Sequence, residues 1–171
     1  MTTTASTTAP APAAIARDLG LAHYAARGVL ENVLARHGAT FPQQIVLRAA
    51  ITSDAPQTPD DLVAQVQESL KADPAGLRAV LDELRAKRLL VADGAHLRPT
   101  DAGRELFAAV AAEAAPISAR IWGGIPAADL AAAGRVLALV TERADAELAA
   151  LADRPAGPAR RTIGLPVPKG R

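Results

Sequence analysis

Arg78 stands inside the segment DPAGLRAVLDELRAKRLL, residues 73–90. Its guanidinium carries the paired donors that match the O6 and N7 acceptors of a guanine edge. On a helix that advances 100° per residue, Leu77, Val80, Leu81 and Leu84 fall on one side and Ala75, Ala79, Asp82 and Ala86 on the opposite side. Arg78 and Arg85 lie on one flank of that outer face, Gly76 and Glu83 on the other. The outer face thus offers methyl groups, one carboxylate and one strongly donating side chain. Ala75, Gly76, Arg78 and Ala79 are the residues this helix would bring to DNA if it entered a groove. A phosphate, or a salt bridge to Asp82 or Asp73, is the competing use of Arg78. A carboxylate such as Asp82 can accept from cytosine N4, but beside phosphates it is costly.

Other cations and caps near this helix suit phosphate. Thr58 caps the preceding helix, Lys71 lies in the turn between the two, and Asp73 caps the second. Helix N-termini present free backbone N–H groups to anions, so Thr58 and Lys71 are candidate phosphate contacts; simple capping is the plainer reading of Thr58. Arg85, Lys87 and Arg88 fall at the far end of the helix, where they complement its C-terminal dipole. Arg98, beyond a short hairpin, is a further candidate for DNA.

Catalytic chemistry is not indicated. His23, His37 and His96 fall on different elements without metal-ligand spacing, and the chain has no cysteine. The pair Gly123–Gly124 is too short for a phosphate-binding loop. Asp60–Asp61 and Asp82–Glu83 sit at a helix start and on a solvent-side face, where solvation is the ordinary explanation. The reading is a non-enzyme with neither metal nor cofactor.

The elements that must position these residues follow from composition and pattern. Half of the 171 residues are apolar but only 2% are aromatic, and alanine dominates, so the expectation is a mainly helical single domain. Residues 19–37 read as a helix with Leu21, Ala25, Gly28, Val29 and Val33 in a stripe, widened by Leu30 and Leu34. A second helix follows Phe41–Pro42, with Ile45, Val46, Ala49 and Ala50 inward. Ser53 to Thr58 is a loop. Thr58–Pro59 opens a third helix burying Leu62, Val66 and Leu70, and Asp73–Pro74 opens the fourth. Leu89–Ala92 and Ala95–Arg98 read as strands joined at Asp93–Gly94. Thr100 starts a long helix to Trp122 that Pro116 bends. A last helix opens at Pro126 and is expected to bury Leu130, Leu137, Val140, Ala144 and Leu148.

The ends differ from this body. Residues 1–16 lack periodicity, a charged n-region or a leucine-rich run, and read as a disordered segment rather than a signal. Residues 153–171 read as a flexible Pro/Gly-rich tail; Arg154, Arg160, Arg161, Lys169 and Arg171 make it basic, which leaves residues 1–153 net acidic. No whole-chain basic field points to nucleic acid, so such a claim rests on local placement. The tail suits either a phosphate-binding arm or a solubilising end. No run of about 18 apolar residues occurs, and a cytoplasmic protein is expected.

In this order, from about residue 19 to 150, the chain resembles the MarR family of winged-helix transcription regulators. DPAGLRAVLDELRAKRLL is similar to the family's recognition helix and following strand, LRPTDAGRELFAAV to its wing-to-helix segment, and the helix after Gly-Ile-Pro to its closing segment. The resemblance implies a mainly α fold: a winged helix-turn-helix over about 42–100 with a short two-stranded wing, and an α-helical dimerisation region from residues 19–37 and 100–152. It implies a homodimer on double-stranded DNA, with a small, often aromatic, effector held between the dimerisation helices and the head. His23, Tyr24, Arg27, Phe107 and Trp122 are the candidate effector contacts by position. Many relatives carry a longer wing with an Asp-x-Arg motif that sends an arginine into the minor groove; here the tip is only DGAH, and Arg98 is the substitute. The alternative reading is a diverged winged-helix dimer acting as a protein-interaction or small-molecule-binding module without sequence-specific DNA binding.

Overall fold

The computed structural model of the chain describes residues 12–153. The order is α1 (Pro12–Arg36), α2 (Phe41–Thr52), α3 (Pro59–Leu70), α4 (Pro74–Ala86), β1 (Leu90–Asp93), β2 (His96–Pro99), α5 (Asp101–Trp122) and α6 (Ala127–Ala152). Two compact units divide the chain after Ile121. The fold is mainly α with a two-stranded antiparallel wing, as expected.

α1 starts at Pro12, so residues 12–16 are helical where the sequence suggested disorder. Proline suits the first helical turn, and Ala13, Ala14 and Ala16 are the strongest helix formers. The expected disorder of residues 1–11 and the basic tail from Arg154 lie outside the described residues.

The first unit has its main core in the winged helix. Val46, Leu47 and Ala49 of α2, Leu62, Val63 and Val66 of α3, and Leu77, Leu81 and Leu84 of α4 are buried with Leu89, Leu90 and Leu97. Ile45, Ala50, Leu70 and Val80 complete this core while only partly buried. Each fully buried leucine contributes about 1.5–3 kcal/mol, so the stripe of α4 fixes which of its faces points outward. A second cluster joins Val33 and Leu34 of α1 to Val110 of α5, under Ala39. Nearer its start, Leu21, Ala25, Gly28 and Val29 of α1 are exposed.

Helix ends are closed by the chain's own side chains. The Thr40 hydroxyl accepts from Gln43 N and the Gln43 side-chain oxygen from Thr40 N, a reciprocal cap on α2. The buried Gln43 then donates its amide to Glu83 at 2.7 Å, while Lys87 Nζ donates to Gly38 O at 2.8 Å and Gln43 Oε1 at 3.0 Å. Lys87 therefore binds α4 to α2 instead of only facing its own helix end. α4 stops in a Schellman arrangement: Leu89 N donates to Leu84 O, Arg88 N to Arg85 O, and Arg88 takes the left-handed conformation at φ 56°.

That stop is joined to α5 at close quarters. Thr100 N donates to Leu89 O at 3.1 Å; the Thr100 hydroxyl donates to Arg88 O at 2.7 Å and accepts from Gly103 N at 3.0 Å. A Cβ at Gly103 would lie 2.3 Å from Leu89 O, so only glycine permits this approach.

The wing pairs Leu90 with Pro99 through Asp93 with His96. The register puts both strands one residue later than the sequence reading. The two-residue turn is Gly94–Ala95, because Gly94 supplies the positive φ at the first central position. Gln57 adds a bridge to the outer edge, accepting from Leu97 N at 2.8 Å.

In the second unit no residue of α6 is buried, which corrects the expectation for Leu130, Leu137, Val140, Ala144 and Leu148. The 3.6-residue period marks an apolar face but not what covers it. No single helix among the described residues is long and apolar enough to cross a membrane.

Candidate nucleic-acid interface

The winged helix presents α3's first turn, α4's outer face and β2 around one shallow cleft of about 170 Å³. Pro59, Arg78, Leu81, Asp82, Arg85 and Leu97 line it. Proline at the first position and an acidic first turn suit α3's start there, and the α4 leucine stripe turns Ala75, Gly76, Arg78, Ala79 and Asp82 to solvent. The structure thus brings the expected α4 residues onto one exposed patch.

Their polar groups already have partners. Arg78 Nη2 donates to Asp60 Oδ1 at 3.1 Å, across the elbow between α3 and α4. Its partner is thus Asp60, and not the Asp82 or Asp73 that sequence proximity offers. Asp73 instead caps α4, accepting from Gly76 N at 3.0 Å. Asp82 holds Arg85 at 3.3 Å, so Arg85 acts one turn back along the helix and not only on the helix end. In the wing, Arg98 Nε lies 3.5 Å from Asp93 Oδ2.

Thr58 closes a capping box with Asp61: its hydroxyl donates to Asp61 Oδ2 at 2.7 Å and accepts from Asp61 N at 3.2 Å. The Thr58 hydroxyl bond, then the Thr58 backbone bond, holds the Asp61 carboxyl below the usual carboxylate range; the charge of His96 adds a smaller pull. Thr58 is therefore occupied as a cap. Lys71 is the left-handed C-cap of α3, its N–H donating to Gln67 O at 2.8 Å, and lines a cleft of about 430 Å³ with Ala64, Gln67, Glu68 and Ala72.

The expected effector residues have separate surroundings. His23 and Tyr24 are exposed on α1 with edge-on rings 5.5 Å apart. Arg27 pairs with Glu31 at 2.8 Å and lies 4.6 Å over the Phe41 ring. Phe107 packs on the winged-helix core, and Trp122, at the start of the second unit, is exposed. Neither the clefts already described nor those of about 410 and 260 Å³ on the described residues are lined by any of the five. Among the described residues no group of three or more His, Asp or Glu side chains is placed to hold a metal ion.

No protein-family model matches the sequence, and no curated protein does. Solved structures do. A MarR family transcriptional regulator from Rhodococcus sp. RHA1 aligns with a TM-score of 0.63 at 19% identity, over 78% of this chain and 96% of that one. CouR from Rhodococcus jostii, solved with p-coumaroyl-CoA, aligns at 0.62 and 19% identity, over 74% and 91%. A MarR family protein of Mycobacterium tuberculosis in complex with DNA aligns at 0.58 and 20% identity, over 78% and 98%. With its helix-turn-helix, two-stranded wing and flanking long helices, the chain has a MarR-like winged-helix fold.

Proposed function

We propose that the chain is a homodimeric, DNA-binding transcription regulator that responds to a small-molecule ligand. The observation that carries the reading is the outward face of α4, set between α3's capped first turn and the wing, with Arg78 exposed on its flank. A helix presented this way enters a major groove, while the neighbouring helix end and wing meet the backbone. A solved structure of similar fold is in complex with DNA, which supports a DNA-binding role for this fold here. Thr58, Lys71 and Arg98 are its backbone-side contacts, and Ala75, Gly76, Arg78 and Ala79 its groove-side contacts. An enzyme, a metal or a cofactor has no part in this reading, and the expected location is the cytoplasm.

Two apolar stripes support the homodimer. Ile15, Leu19, Leu21, Tyr24 and Val29 are exposed along α1, and Val136, Leu137, Leu139, Val140, Leu148 and Leu151 along α6. Exposed large apolar side chains in such number mark association sites, and a second copy is the common solution. The ligand-bound structure of similar fold supports a small effector, for which His23, Tyr24, Arg27, Phe107 and Trp122 are the candidates.

Titrating the purified chain with the DNA upstream of its own coding sequence, and with a scrambled duplex, at several salt concentrations tests the proposal. The expected result is preference for the upstream DNA, with affinity falling linearly in log–log form as salt rises. Binding of neither duplex at low salt overturns the proposal and leaves the interaction-module reading. Equal, weak binding to both removes sequence specificity.

A further inference from the structure

We infer that Asp60 is a specificity-determining residue, competing with DNA phosphate for Arg78 and so holding down binding to DNA in general. The inference rests on the reading of this face as a DNA-binding surface. Asp60 comes from a different helix, 18 residues before Arg78, and its position is set by the Thr58 and Pro59 start of α3. Both partners stay open to an incoming ligand, with side chains 57% exposed for Arg78 and 81% for Asp60. Each of the three arginines on α4 and the wing strands faces an aspartate in the same way: Arg78 with Asp60, Arg85 with Asp82, and Arg98 with Asp93.

A phosphate approaching Arg78 meets a guanidinium whose charge is already neutralised, next to a carboxylate that repels it. Exchanging one ion pair for another gains little, and that holds for every DNA sequence. A guanine edge differs, because it is a neutral acceptor pair. Asp60 engages Arg78 through a single nitrogen, and a guanidinium has five N–H donors, so donors remain for O6 and N7 while the carboxylate stays in place. The pair therefore penalises phosphate contact more than base contact. α3 also gains from the same charge, since a carboxylate in the first turn suits the helix dipole.

The test is fluorescence anisotropy with a labelled, scrambled duplex at several salt concentrations, using the full chain as wild type, Asp60→Asn, Arg78→Ala and the double variant. Asn keeps the shape of an exposed side chain and leaves the Thr58–Asp61 cap intact. The expected result is that Asp60→Asn tightens scrambled-duplex binding about two- to fivefold and steepens its salt dependence by about one unit of slope. In the Arg78→Ala background that tightening disappears. Wild-type binding with no gain from Asp60→Asn overturns the inference and leaves the DNA-binding reading standing. An equal gain with and without Arg78 also overturns it, because Asp60 would then act by bare repulsion. Absence of binding by both wild type and Asp60→Asn at about 50 mM salt overturns the inference together with the reading on which it rests.

Discussion

Replacing Gly103 by alanine probes the contact that aims the candidate recognition helix. The new methyl would lie 2.3 Å from Leu89 O, 3.2 Å from Leu89 C and 3.4 Å from Leu47 Cδ1. A carbon–oxygen contact of this kind rests at about 3.3 Å, so α5's first turn must retreat by roughly 1 Å from the chain at Leu89. Backbone, not a pliable side chain, is on the other side of the clash. The Thr100 N to Leu89 O bond, now 3.1 Å, is stretched out of range by that retreat. Losing it costs about 1 kcal/mol, and strain in a packed site about 1–3 kcal/mol. Alanine returns about 0.5–1 kcal/mol of helix preference. The net is a destabilisation of about 1–3.5 kcal/mol, which for a chain of this size lowers Tm by roughly 2–14 °C. Thermal and urea unfolding followed by circular dichroism measure it. DNA affinity should also fall at temperatures where the variant is fully folded, because Leu89 closes the end of α4. A Gly103→Ala protein with an unchanged or raised Tm would contradict the close approach of Gly103 to Leu89.

Two further outcomes follow from the surface and from charge. Leu137→Glu places a carboxylate in the exposed apolar stripe of α6; light scattering should show twice the 17.6 kDa chain mass for wild type and a shift toward single mass for the variant. Glu113 ties α5 to the end of α1, accepting from Arg36 Nε at 2.6 Å and sharing a 2.7 Å hydrogen bond with His37 Nε2. Arg36 first, then His37, holds its carboxyl below the usual glutamate range. A depressed folded-state pKa gives stability that is present above the unfolded value and lost as pH falls through the folded one. Urea unfolding should therefore find wild type more stable than Glu113→Gln at neutral pH, with the gap closing in acid; a gap that persists or widens in acid would count against the pairing.

Much of the architecture was legible because its signals are local. Thr58–Pro59 and Asp73–Pro74 start the helices they were expected to start, and Leu77, Leu81 and Leu84 are buried as their spacing requires. Gly103 appeared in TDAGRELF only as a helix residue, since its need for a bare Cα depends on where Leu89 passes. The hairpin turn falls one residue later than DG suggests, because DG reads equally well as central pair or as strand end plus turn. The period in α1 and α6 identified apolar faces correctly, but periodicity carries no information on whether the cover lies in the same chain. Asp60 was illegible as Arg78's partner for a similar reason: the pair exists through the crossing of α3 and α4, not through sequence spacing.

On the proposed reading, DNA meets the chain on α4's outer face. The direct measurement is an amide nitrogen–proton NMR titration of the full chain with the upstream duplex. The largest shifts are expected at Ala75, Gly76, Arg78 and Ala79, with smaller ones at Thr58, Lys71 and Arg98, and little change at Leu137 or Val140 of α6. Shifts that avoid α4 and gather elsewhere on binding would contradict it.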